Sequence, residues 1–160
     1  MSNIYMVKNQ QVEDASVITI PYTPGPLAPA MQADIPGIKN IARTNLSTKV
    51  LFSVGDKSLY KEGCFVDPSF LTLFHLSFLY GNAASAFYQL QSIVITETMA
   101  KNLFGQTNVT GRQLRVNNKE DYTITGVIRD LPENISLKFD YLMPYALYEK
   151  SNTSLKYWGN

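Results

Sequence analysis

The run Ser92-Ile-Val-Ile-Thr-Glu-Thr-Met-Ala-Lys-Asn-Leu-Phe-Gly105 constrains the fold more than any other stretch. Ile93 to Ile95 is short, apolar and β-branched, which reads as a buried strand. Thr96 is a side chain that caps a helix start, and Glu97 favours the positive end of the helix that follows. Met99, Ala100 and Leu103 fall on one helical face, and Gly105 supplies the residue that most easily closes a helix in the left-handed region. A strand feeding directly into a capped amphipathic helix requires a sheet for that helix to pack on.

The flanking sequence supplies the sheet. Gln113 to Val116 and Asp121 to Ile128 flank Asn117-Asn118, a hairpin turn pair. Leu142 to Tyr145 reads as a last strand before a short helix near Tyr148. Upstream, Ile4 to Val7 and Ala15 to Pro21 read as strands. Leu27, Ala30, Met31 and Asp34 follow Pro26 at helical spacing, and Ile35-Pro36-Gly37 ends that helix. Ile38 to Arg43 reads as a strand. Val50 to Val54, Ser58 to Tyr60 and Cys64 to Val66 read as short strands around a Gly55-Asp56 turn. Asp67 is expected to cap a helix that starts at Pro68, carries Phe70, Leu71, Phe74 and Phe78 as its stripe, and ends at Gly81-Asn82. The sum is α+β: a mixed or antiparallel sheet, three modest helices, and a small inserted β-rich region at 46–66. One domain covers 1–160, with an end at Tyr157-Trp158-Gly159-Asn160 that reads as a cut through the domain.

The bulk numbers narrow the function classes. At 45% hydrophobic residues, a chain of 160 can build one core and is not disordered throughout. The net charge of +1 argues against a nucleic-acid binder, which carries a basic excess. The single cysteine, Cys64, excludes an internal disulfide and a multi-cysteine zinc site, and reads as a small buried hydrophobe. No window approaches the about 18 consecutive apolar residues of a membrane span.

Nor do the polar residues assemble into chemistry. His75 is the only histidine and sits in Phe74-His75-Leu76, with no local partner for nucleophilic catalysis. Arg129, Asp130, Glu133, Lys138 and Asp140 form the densest charged cluster, and the Pro132 turn between them favours a loop ion pair over paired acid–base carboxylates. Gly105 and Gly111 follow a helix where a phosphate-binding loop precedes one, and no Gly-Lys-Ser/Thr ending is present. No catalytic, cofactor-binding or metal-ligating residue is assigned.

The order of the anchors carries a resemblance. Ile35-Pro36-Gly37-Ile38 comes first, and Val66-Asp67-Pro68-Ser69-Phe70 follows. Then come Phe78-Leu-Tyr-Gly-Asn82, Ile93-Val-Ile-Thr-Glu97, Leu103-Phe-Gly105, Gly111, and the run Thr125-Gly-Val-Ile-Arg-Asp-Leu-Pro-Glu-Asn-Ile-Ser136 before Phe139-Asp140. This succession resembles the MacB-like periplasmic core domain of MacB/FtsX-type ABC transporter permeases, most specifically from Val66 to Asp140. The resemblance implies an extracytoplasmic domain between two membrane helices of a bacterial inner-membrane permease. It implies no enzyme in this chain and no cofactor. ATP hydrolysis would belong to a cytoplasmic ATPase, the permease would act as a dimer, and a periplasmic adaptor or substrate would meet the domain. For docking, the polar hairpin with Asp56, Lys57, Tyr60 and Lys61 is the candidate surface. A stand-alone extracytoplasmic ligand- or protein-binding module is the alternative reading.

Overall fold

The computed structural model describes residues 3–158. It begins with a two-stranded antiparallel hairpin, β1 (Asn9–Glu13) and β2 (Ser16–Ile20), joined at Asp14 and Ala15, both at positive φ. α1 (Leu27–Asp34) starts after Pro26 and stops at Ile35, which is extended, as its Pro36 neighbour requires. Seven further strands form one sheet: β3 (Thr48–Val54), β4 (Lys57–Val66), β5 (Phe78–Tyr80), β6 (Ser92–Thr96), β7 (Gln113–Val116), β8 (Glu120–Ile128) and β9 (Tyr141–Pro144). Three more helices complete the elements: α2 (Ser69–Leu73), α3 (Glu97–Phe104) and α4 (Tyr145–Ser151), with a 3-10 turn at Thr153–Lys156.

The sheet order is β5-β8-β6-β9-β4-β3-β7, and β7 also pairs with β8. Six strands therefore form a closed ring, with β5 attached outside it on β8. β4 with β9, and β6 with β8, are parallel pairs; the other pairs are antiparallel. Closure removes the free edges an open sheet of this size would present. Phe52, Ile93, Ile95, Leu114, Ile124, Tyr141 and Met143 fill one side, and Met99, Ala100 and Leu103 of α3 pack into the same cluster. On the other side, Val66, Val94 and Leu142 meet Phe70 and Leu71 of α2 together with Ala86 and Phe139. Alternation along β6 explains how Ile93 and Ile95 serve one core while Val94 serves the other.

α3 forms as its sequence demands. Thr96 Oγ1 accepts from the Met99 amide at 3.3 Å, and Gly105 adopts φ 73° at the C-terminus. The β7–β8 hairpin turns on Asn117 and Asn118, with φ of 49° and 57°.

Other expectations are corrected. Ile4 to Val7 is not a strand; the first strand lies at Asn9–Glu13, paired with the expected second. Ile38 to Arg43 is irregular, and only Thr44 bridges to Val66. The helix after Pro68 ends at Leu73, because His75 turns to φ 49° and Phe78–Tyr80 leaves to pair with β8. Ser58 to Tyr60 and Cys64 to Val66 are one continuous strand. Within the β-rich stretch 46–66, β3 and β4 pair with each other and lie between β7 and β9 in the sheet.

Candidate functional site

The strongest polar constellation centres on Arg43. Its backbone amide donates to Asp67 Oδ2 at 2.8 Å, its Nε to the same oxygen at 2.9 Å, and its Nη2 to Oδ1 at 3.0 Å. Nη1 reaches Glu149 Oε2 at 3.3 Å, and the guanidinium lies 4.3 Å from the centre of the Tyr145 ring. The planar fork of arginine suits such bidentate pairing and stacking. Bonding to the Asp67 carboxylate raises the Arg43 pKa, against the opposing effect of burial. The expected role of Asp67 as a helix cap is therefore corrected: its carboxylate serves Arg43, while its backbone carbonyl accepts from the Phe70 amide. The cluster ties the 38–45 segment, the β4–α2 junction and α4 together. Shallow depressions flank Asp67 and Pro68, one beside α1 and one beside Tyr88 and Tyr145. Every charge in the cluster is spent on another, so it offers a joint and no reactive group.

The charged cluster also differs from expectation. Among the described residues, no ion pair joins Arg129, Asp130, Glu133, Lys138 and Asp140. Asp130 instead accepts from the amide and hydroxyl of Thr98 in the first turn of α3, and its own amide donates to Glu97 Oε1 at 3.2 Å. Asp140 Oδ2 accepts from the Glu62 amide at 3.1 Å. These carboxylates satisfy helix and strand donors, which is structural work.

His75 is exposed, and its ring makes no hydrogen bond or ion pair among the described residues. Among those residues no group of three or more His, Cys, Asp and Glu side chains could hold a metal. No helix there is long and apolar enough to cross a membrane. Cys64 is buried, as expected, and burial pushes its thiol pKa up, with a bond to Thr44 opposing the shift. The phenols of Tyr122, Tyr141 and Tyr145 shift upward, chiefly from burial. A group whose folded pKa is raised adds stability that is complete below its unfolded pKa and is lost as pH climbs through the folded value. Stability should therefore be level to the ordinary thiol range and then fall through the thiol and phenol ranges. A urea midpoint that stays constant across that alkaline window would contradict the burial of these groups.

The docking candidates are spread over the β3–β4 hairpin. Asp56 is exposed in the turn, Lys57 is exposed at the strand start, and Tyr60 is 64% exposed within β4. Lys61 is half-buried opposite Val50. By alternation Lys57 and Lys61 share a face with Leu59, and Tyr60 points to the other. The hairpin thus presents two separate surfaces. The Arg43 joint was not legible as a site, since its partners lie 24 and 106 positions away.

The MacB-like periplasmic core domain family matches residues 1–158. A crystal structure of a domain from a Porphyromonas gingivalis protein described as a permease superposes with a TM-score of 0.75 at 30% identity, over 86% of this chain and 64% of that one. The periplasmic region of MacB from Actinobacillus actinomycetemcomitans gives 0.65 at 18% identity, over 82% and 59%. The extracellular domain of the noncanonic ABC-type transporter YknZ from Gram-positive bacteria gives 0.58 at 14%, over 74% and 60%. The last two speak for the fold alone. The chain spans 59% to 64% of the length of these three structures. No curated protein matches it. The α+β ring with α3 in its core is the fold of those extracytoplasmic domains, and the chain belongs to the MacB-like periplasmic core domain family.

Proposed function

We propose that the domain is the extracytoplasmic lever of a MacB/FtsX-type ABC permease, carrying ATP-driven movement of the membrane helices to a substrate or partner outside the membrane. The observation that supports this most is the closed six-stranded ring with α3 packed into its core. A body with few free edges and two filled cores moves as a unit, which a lever requires. The cytoplasmic ATPase, the second permease copy and a periplasmic adaptor or substrate are the partners of this reading. Docking is assigned to the β3–β4 hairpin, with Asp56 exposed at its turn, Lys57 and the half-buried Lys61 on one face, and the exposed Tyr60 on the other.

The test uses the full-length permease with its ATPase in lipid, spin-labelled at Lys101→Cys on the solvent-facing side of α3 in a Cys64→Ala background. The distance between the two copies should change on nucleotide trapping, while a pair of labels within one domain keeps its distance. An inter-copy distance indifferent to nucleotide removes the lever and leaves a binding module. In the same preparation, Lys57→Glu with Tyr60→Ala should weaken partner cross-linking without unfolding the domain. Undiminished cross-linking would relocate the docking surface.

A further inference from the structure

Ring closure leaves a stretch of β4 uncovered. On one side β3 pairs with Lys57 to Gly63, and on the other β9 pairs only with Gly63 to Val66. The neighbouring bonds fix which backbone groups the uncovered stretch presents. The Glu62 amide donates to Asp140 Oδ2 at 3.1 Å, and the Glu62 carbonyl accepts from the Asp140 amide at 2.6 Å, so both groups point away from β3. On β3, Leu51 directs its amide to Asn117 Oδ1 and its carbonyl to the Asn117 amide, on the side away from β4. Leu51 and its register partner Tyr60 are therefore a pair that exchanges no backbone bonds. By alternation the amides and carbonyls of Tyr60 and Ser58 point off the free side, as those of Glu62 do. Among the described residues these four groups meet no partner. Ser58 and Tyr60 are both exposed.

The open edge runs from Lys57 to Lys61, about 17 Å of strand, and Asp140 closes it at the Glu62 end. A row of unpaired strand donors and acceptors is a template for another strand. The side chains beside it select which one. Lys57, Leu59 and Lys61 share one face, with Leu59 packed against the core between the two lysines. No acidic residue of β4 lies on that face, and Tyr60 stands on the other. A second copy is a poor match. Two-fold antiparallel pairing of this edge about Leu59 would set Lys57 opposite Lys61 twice, and like charges directly opposite are destabilising. A strand carrying carboxylates on one face reverses the sign of both contacts.

We propose that an extended acidic segment of a partner protein adds as a strand to the free edge of β4 at Lys57–Lys61. Its backbone pairs with Ser58 and Tyr60, its carboxylates face Lys57 and Lys61, and its alternate, apolar side chains lie against Tyr60. The proposal rests on the assignment of docking to the β3–β4 hairpin and supplies the mode and chemistry of that docking.

The probe is the peptide acetyl-Thr-Glu-Val-Glu-Val-Glu-Thr-amide, added to the 160-residue chain. At saturation the Ser58 and Tyr60 amides should slow at least about tenfold in hydrogen exchange. Lysine in place of the three probe glutamates should weaken binding at least about tenfold. Ser58→Pro removes an outward donor and keeps every backbone bond to β3, as proline at a strand edge can. It should weaken binding at least about tenfold, whereas Ser58→Ala, which loses only the hydroxyl contact with Ser53, should stay within about twofold. Urea midpoints of the two variants check that both fold, and protection of the Tyr60 amide in the unaltered chain decides the matter if the proline variant does not. No binding at millimolar probe overturns the proposal. Binding that leaves both amides unprotected overturns it in favour of side-chain docking alone, and equal binding of the lysine probe overturns the acidic partner. In the full-length permease, partner cross-linking that survives Ser58→Pro but not Lys57→Glu with Tyr60→Ala keeps the docking surface and removes strand addition. Cross-linking that survives both removes the docking surface itself.

Discussion

Replacing Tyr141 by alanine should cost about 3–5 kcal/mol, the range for truncating a large aromatic in a core, and leave the domain close to unfolding. Tyr141 is fully buried on β9, between β4 and β6. Its ring meets Phe52 of β3 edge-on, with centroids 4.9 Å apart. Its hydroxyl donates to the Thr48 carbonyl at 2.7 Å. One side chain therefore reaches from β9 across β4 to the start of β3 at Thr48 and to its interior at Phe52. Urea unfolding followed by circular dichroism measures the loss. Tyr141→Phe keeps the ring and removes the donor, so it should cost only about 1 kcal/mol. Equal losses in the two variants would show that the hydroxyl, and not the packing, carries the effect.

Gly63 explains why that tyrosine fits. It is the register partner of Tyr141 in the parallel β4–β9 pair. A Cβ on Gly63 would lie 2.6 Å from the Tyr141 ring and would also strike the Tyr141 carbonyl oxygen. The ring covers a strand glycine that has no side chain of its own to pack. Gly63→Ala should therefore destabilise the native chain more than it destabilises the Tyr141→Ala chain, where the ring is gone. The double-mutant cycle reads this coupling directly.

What the sequence made legible was local. Thr96, Glu97 and Gly105 act on their own helix within one turn, so their residue types announce α3. Asn117-Asn118 announces the β7–β8 turn for the same reason. Phe70, Leu71, Phe74 and Phe78 announced one helix wrongly. Aromatic residues at helical spacing fit a helix or a strand, and the deciding event, pairing of Phe78 with Ile128, lies 50 positions away. The closure of the ring by β7 is equally remote, since Phe52 meets Val116 across 64 positions. Single-chain pattern shows which residues are apolar but not which strands they join. The same holds for the site. Asp67 before a proline reads as a cap, and nothing near it announces that its carboxylate belongs to Arg43. The exposed character of the Asp56 turn was legible, because Gly-Asp turn chemistry is local. The separation of Tyr60 from Lys57 and Lys61 followed only once β4 was one unbroken strand.

Asp67→Ala should cost about 2–3 kcal/mol, the magnitude expected when a charge-assisted, multiply bonded partner is removed from a partly buried cation. Arg43 and Asp67 retain only 26% and 20% exposure at their side chains, so solvent screens the pair weakly. Asp67 also accepts from the Arg43 amide, which would lose its partner along with the guanidinium. Glu149→Gln should cost less than about 1 kcal/mol, because it touches Arg43 through one 3.3 Å contact and keeps an oxygen there. Asp67→Asn should fall between the two, since it preserves shape and one acceptor while removing the charge. The order of the three urea midpoints is the test. If Asp67→Ala costs no more than Glu149→Gln, Arg43 is held by α4 and the Tyr145 face, and Asp67 is incidental. If the predicted order holds, the joint that anchors the 38–45 segment is the β4–α2 junction.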